Sequence, residues 1–178
     1  MKIFSKKNSE NSQDILSVDM EINTRKVYKN ITKVKGRMVP VIDWRASLYI
    51  NGNKLDQDEV FVEEEFFKSL LHPGKYPMFT CTCGIFGCGG YYVEVIHEDK
   101  SVIWITEQSP FEDRSIKSSN KFIFSWDQMI RFSEELVQKF ENLNSLMNTN
   151  DLDFSFDVER YNRIINKAID RKTINNNF

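Results

Sequence analysis

Three cysteines form the one cluster in this chain whose residue types and spacing suit chemistry. Cys81, Cys83 and Cys88 lie in Phe79-Thr80-Cys81-Thr82-Cys83-Gly84-Ile85-Phe86-Gly87-Cys88-Gly89-Gly90, a C-x-C-x4-C run that also holds four of the seven glycines. Residues two apart on a strand share a face, so Cys81 and Cys83 are expected to point the same way, with Cys88 facing them across a turn. Three thiolates make Cys81, Cys83 and Cys88 a candidate metal site, because zinc takes four protein ligands in structural sites and three plus water in catalytic ones. His72 and His97 are each nine residues from the nearest cysteine. Nine extended residues span roughly 30 Å, so neither histidine reaches the thiols from a straight strand. No second C-x-C or C-x-x-C knuckle is present. A Cys83–Cys88 disulfide would leave Cys81 as a spare thiol. A reactive thiol needs a base or cation nearby, and no Lys, Arg or His occurs between Tyr76 and Ile96. The reading adopted is the plain one, in which reduced cysteines pack beneath a hairpin. No cofactor is then required, zinc being the one that the cluster would admit.

The elements that must position these residues read as a meander. Tyr76 to Cys83 and Tyr91 to Ile96 are strand-like, joined through Gly84-Ile85-Phe86-Gly87, whose glycines can take the positive φ of a tight loop. Gly89-Gly90 suggests a bulge or a close backbone approach. His97 to Lys100 is a polar turn, and Val102 to Thr106 a third strand. Upstream, Leu16, Val18, Met20 and Ile22 alternate with polar residues, as do Ile42, Trp44, Ala46, Leu48 and Ile50, before an Asn51-Gly52 turn. Residues 24–36 read equally as strand or loop. Phe66, Phe67, Leu70 and Leu71 have helical spacing behind Glu63, Glu64 and Glu65, carboxylates that suit a solvated first turn. Downstream, Phe122 to Phe124 is a short strand, and Ser125-Trp126-Asp127-Gln128 a capping box. Met129, Phe132, Leu136, Phe140, Leu143 and Met147 then mark one long amphipathic helix. Val158, Tyr161, Ile164, Ile165, Ala168 and Ile169 mark a last one.

These elements predict an α+β fold: an antiparallel sheet with a cysteine-bearing β-hairpin meander, packed by the long helix, plus a C-terminal helix. The expected organisation is a flexible segment over 1–13, a single domain over 14–148, and a C-terminal helix and tail over 149–178. A net charge of -2 over 178 residues gives no electrostatic case for nucleic acid. The basic run Arg25, Lys26, Lys29, Lys33, Lys35 and Arg37 reads as a solvated face. The opening residues lack the apolar run of a signal peptide, and no stretch approaches the ~20 apolar residues of a membrane span. With few cysteines, and an odd number, the cytoplasm is the expected compartment. The phosphate-binding, zinc-protease and nucleophile-elbow motifs are all absent, which leans away from an enzyme. The polar stretch from Pro110 to Lys121 is long enough for a functional loop, and Trp104, Phe111 and Arg114 are the candidate binding residues around it.

The hairpin motif, with Val93, Trp104 and a Phe-rich strand leading into Trp126, resembles a family of uncharacterised bacterial proteins carrying a C-x-C-G-x-x-G-C hairpin. The resemblance covers roughly Val39 to Phe140. It implies a bacterial, cytosolic, single-domain protein, and it brings no activity and no catalytic residue. The expectation is a small non-enzymatic binding or interaction protein, for example an immunity-type protein that covers a toxin's site. A protein partner or self-association follows from that reading. The alternative is a thiol- or zinc-dependent protein using Cys81, Cys83 and Cys88.

Overall fold

Apolar–polar alternation builds the first sheet. In the computed structural model, which describes residues 13–30, 35–56, 59–81, 83, 89–111, 113 and 120–175, strand β1 (Leu16–Asn30) pairs antiparallel with β2 (Gly36–Ile50) without interruption, from Leu16↔Ile50 to Asn30↔Gly36. The ambiguous stretch is therefore strand from residue 24 to residue 30. Val27, Tyr28, Val39 and Val41 supply the β-branched and aromatic side chains that favour it. Asn51 and Gly52 both take positive φ, 52° and 78°, so the turn into β3 (Asn53–Lys54) is the one an Asn-Gly pair prefers.

The second sheet is an antiparallel array in the order β4-β5-β6-β7-β8. It contains β4 (Glu59–Phe61), β5 (Gly74–Cys81), β6 (Gly90–His97), β7 (Ser101–Thr106) and β8 (Lys121–Ser125). Strand β4 was not expected, because its acidic surroundings read as the approach to a helix. Helix α1 (Glu63–Leu71) follows β4, and α2 (Trp126–Thr149) and α3 (Val158–Asn175) close the chain. The α+β expectation holds. The expectations for the flexible N-terminal segment, the Gly84–Gly87 loop, most of the 110–121 loop and the end of the tail fall outside the described residues, apart from residue 13.

Helix α2 buries the predicted stripe of Met129, Phe132, Leu136, Phe140, Leu143 and Met147. Its cap is half of the expected box. Ser125 Oγ accepts from the Gln128 N–H at 3.1 Å, but the Gln128 side chain turns away and donates through Nε2 to the Leu16 carbonyl at 2.5 Å. A cap contributes about 1 kcal/mol, whereas each buried phenylalanine is worth about 3–5 kcal/mol against alanine, so packing holds this helix. Phe66 is the node of that packing. Its ring lies 5.2 Å from Phe132, 5.3 Å from Phe67, 5.9 Å from Phe61 and 6.2 Å from Trp104, joining α1, α2 and the second sheet.

Helix α3 is continuous with the core. Tyr161 stacks on Phe67 at 4.2 Å, and Tyr161, Ile165 and Ala168 are buried. Glu64 bridges α1 to α3 through Arg160 at 2.9 Å, so the acidic first turn is more than a solvated end. Both partners are well exposed, and such a pair contributes little. Burial holds the Glu63 carboxyl above its ordinary range.

Asp14 ties the sheets together. Its carboxylate accepts from Asn51 Nδ2 and from the Ile123 N–H, each at 2.7 Å, while its own N–H donates to the Ile123 carbonyl at 2.7 Å. Among the described residues no helix is long and apolar enough to cross a membrane.

His97, at the end of β6, donates from Nε2 to the Ser69 carbonyl at 2.7 Å and meets the Trp126 ring edge-on at 4.8 Å. Burial, opposed by that hydrogen bond, pushes its pKa below the ordinary 6.5. The unfolded chain then binds the proton more readily than the folded one. Stability from this group is present above about pH 6.5 and is lost as pH falls through the folded value. Urea unfolding at pH 7.5 and pH 5.5 should show a loss at the lower pH that is smaller in His97→Gln. Equal losses in the two proteins would remove His97 from the account.

Candidate functional site

Strands β5 and β6 carry the cysteine hairpin. They pair at Phe79↔Tyr91 and Thr80↔Gly90, where the Phe79 and Tyr91 rings stack at 4.5 Å. The register shift in this pair lies between Tyr76 and Phe79 rather than at Gly89-Gly90. Gly90 marks the close approach instead. Its φ is +88°, and a Cβ there would collide with the Phe79 carbonyl oxygen and lie 2.6 Å from Thr80 Cα.

Cys81 ends β5, half-buried, opposite Glu59; Cys83 is exposed in the turn beyond it. The two are paired as a disulfide, with Cα atoms 5.4 Å apart. The shared strand face expected from their spacing does not apply, because Cys83 lies beyond the end of the strand. The pairing differs from the Cys83–Cys88 bridge, and an exposed Cys83 is not a packed core thiol. The physical reason is that the strand ends at Cys81 and the chain turns Cys83 outward. Cys88 lies outside the described residues. Among the described residues, no three His, Cys, Asp or Glu side chains converge as a metal site would require.

The candidate binding residues are placed differently from expectation. Trp104 is 1% exposed, on a strand flanked by β6 and β8, with its ring 5.3 Å from Phe124. Phe111 is 4% exposed, bridged to Leu55, with its ring 5.8 Å from Phe122. Neither offers a surface to a partner. Arg114 lies outside the described residues. Aromatic side chains beside a polar loop suggested a surface patch, but their strand neighbours bury them.

The surface that sequence reasoning missed is the β1–β2 ribbon. Directly paired residues share a face, so the buried row Leu16, Val18, Leu48 and Ile50 continues outward through Ile22↔Trp44 to Tyr28↔Met38. Burial along this row is uneven, since Ile42, paired with Thr24 one step beyond Trp44, is still buried. Trp44 is still touched by Phe140 at 5.5 Å and Phe154 at 5.8 Å and is 39% exposed. Farther out, Met38 is 55% and Tyr28 65% exposed. On the other side of the ribbon, Val27↔Val39 sits between Arg25↔Val41 and Lys29↔Arg37. An open groove of about 880 Å³ runs between this part of the ribbon and Asn150–Leu152, where α2 ends. The signal available in the sequence was the continuation of β-formers through the basic run.

No protein-family model, curated protein or solved structure matches this chain.

Because Gly90 combines positive φ with contact to backbone, Gly90→Ala should cost roughly 1–3 kcal/mol or more by urea unfolding. Gly52→Ala, at a φ of 78° with nothing within 4 Å, should cost less. If the two losses are equal, the close approach to Phe79 contributes nothing.

Proposed function

We propose that this is a non-enzymatic protein-binding protein, immunity-type in the sense that it acts by covering a partner's surface. The observation that carries the reading is the outward apolar row ending at Tyr28 and Met38, which are 65% and 55% exposed on a projecting ribbon. Large apolar side chains exposed side by side on a protruding element are what a partner buries. The likeness to uncharacterised bacterial proteins and the cytoplasmic expectation belong to the same proposal and add no chemistry to it. Tagged protein expressed in its native host should co-purify with one stoichiometric partner, identified by mass spectrometry. The exposed double variant Tyr28→Ser/Met38→Ser should release that partner while staying folded, with a stability loss of about 1 kcal/mol or less. A partner retained by the double variant would defeat the reading.

A second reading, a thiol- or zinc-dependent protein, is favoured by one observation: Cys81 at the end of β5 is paired with Cys83, which is exposed in the turn beyond it. A C-x-C pair of this kind can exchange with other thiols when reduced, or offer two sulfur ligands to zinc. Protein purified without histidine tag, chelator or reductant decides between these states. The disulfide predicts at most one reactive thiol of the three in denaturant, and three after reduction. Three reactive thiols before reduction, with near-stoichiometric zinc in the native protein, would replace the disulfide with a metal site.

A further inference from the structure

The net charge of -2 conceals a strong separation. Residues 24–42 hold six basic side chains and no acidic one, so all 26 acidic residues and 18 of the 24 basic ones belong to the rest of the chain. Along the described ribbon, Arg25 is engaged by Asp43 at 2.9 Å, while Lys26, Lys29 and Arg37 stand exposed farther out. Charge and apolar surface meet in the groove. Val27, Val39 and Val41 form one wall with Lys29 and Arg37 beyond them, and Leu152 stands on the opposite wall. Asp151 also lines that opposite wall, so a carboxylate entering the groove is directed toward the ribbon.

The molecule already holds one segment of alternating polar (mostly acidic) and apolar residues, which starts at this groove and continues along the Trp44 side of the ribbon. Asp151-Leu152-Asp153-Phe154-Ser155-Phe156-Asp157 alternates polar and apolar residues, with Leu152, Phe154 and Phe156 half-buried and the others exposed. Phe154 packs on Trp44 at 5.8 Å, and Phe156 stacks on Phe140 at 4.5 Å. This segment covers the ribbon's base, and the groove opens where the segment begins.

We infer that the groove receives an extended segment of a partner protein in which acidic and apolar residues alternate. The apolar side chains lie against Val27, Val39, Val41 and Leu152, and the carboxylates meet Lys29 and Arg37. The inference rests on the protein-binding reading and gives the partner's chemistry. A phosphodiester backbone would satisfy the cations but leave the valine wall uncovered, and the acidic body would repel it.

The test uses the full chain and a short fluorescent peptide alternating aspartate with valine and phenylalanine. Binding should be saturable. It should weaken about tenfold or more when the aspartates become asparagines, in Lys29→Glu/Arg37→Glu, and between roughly 0.05 M and 0.5 M salt. Val39→Ser should also weaken it, whereas a purely electrostatic site would leave that variant unchanged. Absence of peptide binding, equal binding of the asparagine peptide, or tighter binding of oligothymidylate would each overturn the inference. So would a concentration-dependent dimer that the peptide disperses, since a second copy would then be the occupant. A co-purified partner lost by Tyr28→Ser/Met38→Ser but kept by Lys29→Glu/Arg37→Glu would defeat this inference alone and leave the protein-binding function standing.

Discussion

The Asp14 carboxylate fixes how the ribbon leaves the body. It joins the Asn51 side chain at the end of the first sheet to the Ile123 N–H in the second, and a third bond runs from its own N–H to the Ile123 carbonyl. Hydrogen bonds to a charged acceptor contribute about 1.5–3 kcal/mol each, more than a neutral pair. The Gln128 side chain adds a tie to the Leu16 carbonyl nearby. With the Leu55–Phe111 bridge and the bond from the Asp56 N–H to the Pro110 carbonyl, these bonds join the sheets by more than side-chain packing. The groove depends on them, because one wall belongs to the ribbon and the other to the end of α2.

Stability is graded along the ribbon. Its base is buried under Phe140 and the rest of α2's apolar stripe, with Phe154 from the segment that follows α2. Toward the tip each cross-strand pair adds only about 0.2–1 kcal/mol, and a two-stranded ribbon is marginal on its own in water. Elements that bind are often drawn from this low-stability end. Tyr28 gives some local rigidity, since its ring covers Gly36, where a Cβ would collide with it. The exposed β1 edge carries Arg25, Lys26 and Lys29, charges of the kind that discourage edge-to-edge association of strands.

Much of the fold was legible because single-element patterns survive packing. The α2 stripe, the Asn51-Gly52 turn and the β5–β6–β7 meander follow from periodicity and turn chemistry alone. The basic run was ambiguous because charge interrupts the alternation of β-formers, and only pairing with Gly36–Ile42 decides it. Burial of Trp104 and Phe111 depends on neighbouring strands and on Leu55, contacts far away in sequence. Gln128 met the local requirement of a capping box, but tertiary structure offered its side chain the Leu16 carbonyl instead. The cysteine spacing implied one strand face for Cys81 and Cys83, but the strand stops at Cys81. It could not say which two would pair, because that depends on where the strand ends.

Of the three tryptophans, Trp104 and Trp126 are buried, and Trp44 alone reaches solvent, on the ribbon beside Phe140 and Phe154. The intrinsic fluorescence of the chain is therefore spatially resolved without any label. Blue-shifted emission, typical of indole shielded from water, comes from the body. The red edge of the spectrum, and its quenching by acrylamide, belong to the joint between ribbon and body. Anything that bends the ribbon, or lies across its root, changes the colour of one residue.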